Sequence, residues 1–187
     1  MTVGSLDQAL KAAEEIGYPL VCKLIDKDFL HKTEMGGVVK DITTEEALKD
    51  AYGRLVELGS RVAKVPKPPS ILVQKQVKGH ELLLGLKKDP SFGMVVVCGQ
   101  GGIYTEVFKD VAHSLTPLSV QEACNALSRL LKGVRGEKGV HLNQIAEVMS
   151  CLSVLGEEIG GLTEADINPF IVSAEGCWTV DARFVWC

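Results

Sequence analysis

Apolar and polar positions repeat with a helical period in four segments of the chain. Three of them begin with a capping box, in which Ser or Thr is followed three residues later by Glu or Gln. The boxes are Ser5-x-x-Gln8, Thr43-x-x-Glu46 and Ser119-x-x-Glu122. The helices that follow are predicted to run to about Gly17, over EEALKDAYGRLVEL and over QEACNALSRLLKG. A fourth helix is predicted near 141–159, with apolar residues at Leu142, Ile145, Met149, Leu152, Leu155 and Ile159.

Other runs are rich in β-branched and apolar residues and are predicted to be strands. They are PLVCKLI, GGVVKDI, ILVQKQV, ELLLGLKK, MVVVCG, GIYTEVF, ADINPFIV and CWTVDARFVW. Several consecutive runs are too close together for a helical crossover, which favours antiparallel pairing. The sequence therefore predicts an α+β fold with mixed, largely antiparallel sheets and packed helices. The KVPKPPS segment is expected to be an exposed linker between a helix and a strand.

The last two strand-like runs form a predicted hairpin whose register can be derived. SAEG at 173–176 has the composition of a turn, and a symmetric hairpin around it pairs residues whose numbers sum to 349. Asn168 then faces Asp181, with Cβ atoms about 4.5 to 5.5 Å apart, so their oxygens could share a hard cation such as Mg²⁺. Asp166 faces Arg183 on the same side. The alternative is a solvated polar face with an Asp–Arg pair, and a two-residue register shift would remove the site.

Composition and charge exclude some classes of protein. The 187 residues are 46% hydrophobic and 24% charged with a net charge of −4, which is typical of a soluble globular protein and shows no footprint for nucleic acid. The six cysteines lie far apart without a CxxC pair, so we expect them to be reduced. Because no signal peptide and no apolar run of about 18 residues is present, a cytoplasmic protein that does not contact a membrane is predicted.

Lys23 interrupts an apolar strand. Strand alternation places it on the face opposite Leu20, Cys22 and Leu24. An unpaired buried ammonium would cost roughly several kcal/mol, so this face is either exposed or lines a cleft that holds negative charge. From the strand alone, a solvated edge lysine is the simpler interpretation.

Two glycine clusters could let backbone amides approach a phosphate. They are the pair Gly36 and Gly37 and the GQGG run at 99–102. Neither completes the GxxxxGK or GxGxxG motif, so the P-loop and Rossmann mechanisms are not available. Each cluster could equally be a turn.

The loop LHKTEMGG carries His31 and Lys32 just before the glycine pair. An uncharged imidazole can attack phosphorus, and phosphoryl transfer needs cations and backbone donors around the transferred group. Taken alone, a loop histidine is more often simply solvated. His80 and His141 are interpreted as surface residues at a strand and a helix end.

Four blocks together resemble a known family, the ATP-grasp domain of ADP-forming acyl-CoA (acetyl-CoA) synthetases and their β subunits. The blocks are IGYPLVCKLIDKDFLHKTEMGGVV, VKGHELLLGLKKDPSFGMVVVCGQGGIYTEVFKDVA, LLKGVRG and EADINPFIV…WTVDARF. The resemblance covers nearly the whole chain. It implies one ATP-grasp domain over 1–187, with lobes at about 1–70 and 71–187, and ATP/ADP and Mg²⁺ as cofactors.

The resemblance also implies a role for individual residues. Lys23 would contact ATP phosphate, the 74–77 segment would form the adenine hinge, and Glu81 would serve the nucleotide site. The full set of nucleotide-binding residues would be Lys23, Gly36, Gly37, Gln74, Lys75, Gln76, Val77 and Glu81. Asn168 and Asp181 match the family's Mg²⁺ ligands, and His31 matches the histidine that accepts a phosphoryl group.

Two features depart from the family pattern. KDVAHSLTPL places His113 and Ser114 where Phe-Arg is usual, and a serine cannot supply the charge of a phosphate-clamping arginine. His113 is either a packing residue or a substitute donor. The chain also begins at MTVGSLDQALKAAEEIGYP, without the helix and strand that usually precede this block, which suggests a fragment.

Two functions fit these observations. The first is an enzyme subunit that converts acid, CoA and ATP to acyl-CoA, ADP and phosphate through a phosphohistidine. No CoA-binding fold is evident, so an α subunit or fused domains would handle CoA and a small carboxylic acid, and a hetero-oligomer is expected. The second is a non-catalytic nucleotide sensor, like the related domains fused to acetyltransferases, which the departure at His113 and Ser114 favours. The enzyme is the preferred interpretation, because the chain retains His31, Lys23, Asn168 and Asp181.

Overall fold

The computed structural model describes residues 1–25, 35–62, 69–101, 111–130 and 138–187. Three sequence predictions lie outside these residues: the His31 and Lys32 loop, the GIYTEVF run and most of the KVPKPPS linker. The chain divides into two compact units, Met1–Gln76 and Val77–Cys187. Each unit has its own sheet and its own hydrophobic core.

The first unit consists of a four-stranded sheet and two helices. The strands are β1 (Thr2–Val3), β2 (Leu20–Ile25), β3 (Val38–Ile42) and β4 (Ser70–Lys75), and the helices are α1 (Leu6–Ile16) and α2 (Glu45–Val62). The strand order is β1-β4-β2-β3, and the neighbours are antiparallel. One face of this sheet packs on the helices. Its core contains Ala9, Ala12, Leu20, Cys22, Leu24, Ile42, Leu48, Leu55, Ile71 and Val73.

Local capping explains where the first two helices begin. Ser5 caps α1 as predicted, since its Oγ accepts a hydrogen bond from the Gln8 N–H at 3.3 Å. The prediction for α2 was wrong by one residue: Thr44, not Thr43, is the cap, and its Oγ1 accepts from the Ala47 N–H at 3.2 Å. Both positions hold threonine, so the residue type could not distinguish them, and the Glu46 spacing favoured the wrong one.

The second unit consists of a six-stranded sheet and two helices. The strands are β5 (His80–Asp89), β6 (Gly93–Gln100), β7 (Val111–Leu115), β8 (Leu162–Ser173), β9 (Gly176–Thr179) and β10 (Ala182–Trp186), and the helices are α3 (Val120–Leu130) and α4 (Lys138–Glu158). The order is β10-β8-β5-β6-β7, with β9 also paired to β8, and all pairs are antiparallel. The predicted CWTVDARFVW strand is thus two strands, interrupted at Val180 and Asp181.

The core of the second unit lies where α3 and α4 cover one face of the sheet. It contains Leu82, Leu84, Leu86, Val96, Cys98, Leu127, Ile145, Met149, Ala165, Ile167 and Phe170. The capping box at the start of α3 is confirmed, because Ser119 N–H donates to Glu122 Oε2 at 3.0 Å and Glu122 N–H donates to Ser119 Oγ at 3.3 Å.

The surface interpretation of His141 was wrong. Because α4 begins at Lys138, this histidine lies inside the helix on the face of Ile145 and Met149, four and eight residues further on, and is only 7% exposed. Conversely, Ile159 lies beyond the end of α4 and is 38% exposed.

Among the described residues, no helix is both long enough and apolar enough to cross a membrane. All six cysteines are described and none forms a disulfide.

Candidate functional site

Lys23 lies in the middle of β2, on the face that α1 and α2 do not cover. Leu20, Cys22 and Leu24 are in the core, which confirms the predicted alternation. The edge interpretation was wrong, because β2 is an interior strand between β3 and β4 and the lysine is only 8% exposed. An ammonium that is buried to this extent requires compensating negative charge or hydrogen bonds. Lys23 makes contacts within the chain, and its contact with phosphate stays a prediction.

Gln74 is the residue of the predicted adenine hinge that shares this face of the sheet with Lys23. It pairs directly with Val21, and Leu72 pairs directly with Lys23, and directly paired residues project to the same side of a sheet. Both Gln74 and Leu72 are half-buried. One face of β2 and β4 thus brings together Lys23 and the first residue of the 74–77 segment.

The other residues of the predicted hinge in this unit, Lys75 and Gln76, contact the segment between α1 and β2. Lys75 Nζ donates hydrogen bonds to Tyr18 O at 2.6 Å and to Gly17 O at 3.2 Å. The Gln76 N–H donates to Pro19 O at 3.0 Å. The side chain of Lys75 is therefore occupied within the first unit.

The pair Gly36 and Gly37 leads into β3. Gly36 has φ +75°, a left-handed conformation that glycine adopts without strain. Gly37 O accepts a hydrogen bond from Leu24 N–H at 2.8 Å, which extends the pairing of β2 and β3. The described structure thus gives the pair a role in the turn, and phosphate contact stays a prediction.

The hairpin of the second unit has the predicted register. Paired residues have numbers that sum to 349 in β8 with β9, from Ser173 and Gly176 outwards, and in β8 with β10 as far as Val185. Between these strands, Asn168 N–H donates to Asp181 O at 3.2 Å, so the two residues are opposed. Both are exposed. The arrangement can present an amide oxygen and a carboxylate to one cation, although their role as metal ligands stays a prediction.

A β-bulge at Asn168 and Pro169 separates this register from that of the neighbouring strand. Leu82 pairs with Phe170 and Leu84 pairs with Ile167, so β8 has one residue more than β5 between these pairs. A proline has no N–H to donate to β5, and a bulge accommodates that loss. Ile167 and Phe170 both remain in the core, and Asn168 is exposed.

Carboxylates gather around this pair. Burial raises the pKa of Asp166, the charges of Glu164 and Asp181 raise it further, and the opposed Arg183 lowers it. The negative potential favours a cation. The described residues contain no group of three or more His, Cys, Asp or Glu side chains that could enclose a metal. A cation at Asn168 and Asp181 would therefore take its remaining oxygen ligands from phosphate and water, as Mg²⁺ commonly does.

Glu81 is half-buried at the start of β5, where two glycines allow close backbone approach. Its carbonyl accepts a hydrogen bond from Gly101 N–H at 2.8 Å. A Cβ at Gly101 would lie 2.7 Å from the Glu81 carbonyl carbon, and one at Gly79 would lie 2.3 Å from Val172 O. The turn interpretation was wrong for residues 99 and 100, which belong to β6.

His113 was not expected to share a sheet with Asn168 and Asp181, the predicted metal ligands, because β7 was not predicted. The described pairings run from Arg183 to Asp166, Gly85, Val97 and His113, which places all five in one row on one face. His113 is exposed, so it is not a packing residue. Only recognition of VAHSL as an edge strand could have shown this in the sequence.

Two antiparallel sheets, each covered by helices on one face, match a known class of protein. The chain belongs to the ATP-grasp family, since the family model described as an ATP-grasp domain matches residues 1–185. Within the family, it is 32% identical over 190 residues to acetate–CoA ligase [ADP-forming] II subunit beta of Pyrococcus furiosus. The aligned region covers 97% of this chain and 80% of that subunit. This confirms both the resemblance and the predicted fold.

Other relatives are much longer. 4-Hydroxybutyrate–CoA ligase [ADP-forming] of Nitrosopumilus maritimus is 37% identical over 184 residues, which are 94% of this chain but 26% of that protein. The match to acetate–CoA ligase [ADP-forming] I of Archaeoglobus fulgidus covers 27% of the length of that protein. The chain thus spans about a quarter of the length of these relatives.

A similar solved structure is acetyl-coenzyme A synthetase 1 of Ca. Korarchaeum cryptofilum in complex with coenzyme A, Ca-AMPCP and HgCl⁺. The TM-score is 0.89 at 33% identity, over 100% of this chain and 84% of that one. A second structure of that synthetase contains coenzyme A and Mg-AMPPCP, and its phosphohistidine segment points towards the nucleotide-binding site; the TM-score is 0.79 at 31% identity, over 98% of this chain and 83% of that one.

Proposed function

We propose that this chain is the nucleotide-binding part of an ADP-forming acyl-CoA synthetase, with ATP/ADP and Mg²⁺ as its cofactors. The observation that carries the proposal is the opposition of Asn168 and Asp181 in a hairpin surrounded by carboxylates. Magnesium bound there would neutralise phosphate charge and orient the phosphates. Lys23 would supply a second positive charge, and residues 74–77 and Glu81 would serve the nucleotide.

His31 is the proposed phosphoryl acceptor. In the forward direction, its imidazole nitrogen attacks the γ-phosphorus of ATP, a nitrogen–phosphorus bond forms, and the bond to the bridging oxygen breaks with ADP as leaving group. Positive charge around the transferred group lowers the barrier, which gives Lys23 and Lys32 a role in that step. The phosphohistidine segment of the Korarchaeum synthetase supports this proposal.

The remaining chemistry belongs to other parts of the enzyme. The β-subunit relative from Pyrococcus and the longer single-chain relatives support two arrangements, a CoA-binding α subunit in a hetero-oligomer or fused CoA-binding domains. In either case the partner binds CoA and a small carboxylic acid and takes the phosphoryl group from His31. We place the protein in the cytoplasm, where its unpaired cysteines would stay reduced.

The metal assignment is tested by calorimetric titration of the chain with MgADP. Asn168→Ala and Asp181→Ala should each weaken binding by about 10-fold or more, because each removes one charged or polar cation ligand worth roughly 1.4 kcal/mol or more. Glu175→Ala is the matched control, since this exposed residue lies in the turn of the same hairpin. Wild-type affinity in both site variants would refute the assignment.

A second function, nucleotide sensing without catalysis, is favoured by Ser114 in the position of the usual arginine. The two functions are distinguished by incubating the intact assembly, including its partner, with γ-labelled ATP and measuring label on the protein. Acid-labile label that is lost in His31→Ala supports the synthetase. Label that survives His31→Ala but is lost in His113→Ala would move the acceptor to His113, and nucleotide binding without any label would establish the sensor.

A further inference from the structure

The end of the 74–77 segment is held by a compact set of hydrogen bonds. Gln76 is the last residue of the first unit, and its N–H donates to Pro19 O at 3.0 Å. Its side-chain amide forms a reciprocal pair with Asp41. The Asp41 N–H donates to Gln76 Oε1 at 2.6 Å, and Gln76 Nε2 donates to Asp41 Oδ1 at 3.0 Å. Both ends of one amide group are thus engaged by one residue.

Asp41 has an unusual backbone conformation that makes this contact. Leu20 pairs with Ile42 and Cys22 pairs with Val39, so β3 has one residue more than β2 between these pairs and forms a bulge. Asp41 lies in that bulge with φ 58°, the left-handed region that few residues other than glycine occupy. A residue kept there against its preference indicates a compensating or functional contact. The bulge turns both the N–H and the carboxylate of Asp41 towards Gln76.

While this pair is formed, Gln76 has one amide hydrogen and one oxygen lone pair left for any other partner. The side chain of Lys75 is likewise engaged, on Gly17 and Tyr18. At these two positions both side chains are anchored within the first unit, and we expect a bound base to meet main-chain atoms of the segment. The position of those atoms depends on what holds the side chains.

We propose that Asp41 is a positioning residue for nucleotide base binding, which acts through Gln76 on the main chain of the 74–77 segment. The inference rests on the proposed function, since it takes this segment to be the adenine hinge. Asp41 itself touches neither base nor phosphate in this scheme. Its removal should therefore weaken recognition of the base and leave recognition of the phosphates unchanged.

The test compares two ligands in calorimetric titrations, MgADP and magnesium tripolyphosphate, which lacks a base. Asp41→Gly keeps the backbone N–H and tolerates a positive φ but removes the carboxylate. We expect it to lower MgADP affinity by about 2- to 12-fold, the range for loss of one net hydrogen bond. Asp41→Asn keeps the oxygen and also tolerates this φ, so it should restore affinity. Gln76→Leu should cause the same loss of MgADP affinity. If Asp41→Gly does not fold, the comparison of Gln76→Leu with wild type tests the inference instead.

Lys49→Met is the control, because it breaks an exposed ion pair to Glu45 at 2.5 Å in α2 of the same unit. It should leave both affinities unchanged. Equal affinity of Asp41→Gly and wild type for MgADP overturns the inference and leaves the proposed function intact. An equal loss for both ligands also overturns it, because a general structural role would not separate base from phosphates. A folded wild type that does not bind MgADP overturns the proposed function and this inference with it.

Discussion

Replacement of Lys23 should weaken both nucleotide binding and the fold, and the two effects can be measured separately. Lys23 is only 8% exposed on an interior strand, and its side chain makes contacts within the folded chain. Lys23→Met keeps the length of the side chain and removes the charge. A hydrogen bond to a charged group contributes about 1.5 to 3 kcal/mol, so MgADP affinity should fall by about 12- to 160-fold.

Without nucleotide, the same substitution should lower the free energy of unfolding. Removal of one partner of a buried polar or charged contact leaves the other partner unsatisfied, which costs about 1 to 3 kcal/mol. Calorimetry with MgADP and urea unfolding measure the two quantities. Lys11→Met, at an exposed position of α1, is the control and should change neither.

Two results would refute this reasoning. If MgADP affinity stays within twofold of wild type, Lys23 does not contact the ligand. If the free energy of unfolding of Lys23→Met does not fall, the lysine makes no stabilising contact within the folded chain.

Two further predictions concern packing and thiol chemistry. Gly53→Ala in α2 should raise the free energy of unfolding by about 0.5 to 1 kcal/mol, because no atom lies within 4 Å of the added Cβ. Gly79→Ala should lower it by about 1 to 3 kcal/mol, because the added Cβ would lie 2.3 Å from Val172 O. If urea unfolding shows a change of the same sign for both variants, this interpretation of the two glycines is wrong. At pH 8, iodoacetamide should label the exposed Cys151 and Cys187 first, because burial raises the pKa of Cys22 to about 11 and that of Cys98 to about 12 and keeps both protonated. Peptide mass spectrometry measures the order, and equally fast labelling of Cys98 in folded protein would contradict it.

The hairpin could be predicted because its register follows from a local rule. A turn composition at 173–176 and the symmetry of a hairpin around it fix which residues face each other, and the opposition of Asn168 and Asp181 follows. The bulge next to them was not predicted. It depends on the pairing of β8 with β5, which is distant in the sequence. Pro169 alone does not show which neighbouring strand its nitrogen, which carries no hydrogen, would face.

Features that depend on neighbours distant in the sequence were the ones that sequence reasoning missed. VAHSL alternates exposed and half-buried residues at the edge of a sheet, so β7 lacks the apolar run that marks an interior strand. The burial of Lys23 follows from the position of β4 beside β2, and β4 lies far along the chain. The conformation of Asp41 depends on Gln76, 35 residues away.

The register of the β8–β9–β10 hairpin also limits how the length of this chain can vary in evolution. The turn at 174–175 lies outside the paired residues, so an insertion there lengthens a surface loop and leaves every pair in place. One residue inserted between Gly176 and Asp181 would instead rotate Asp181 to the other side of the sheet, away from Asn168. Length polymorphism in descendants of this sequence should therefore be confined to the turn, while β9 and its junction with β10 keep a constant length.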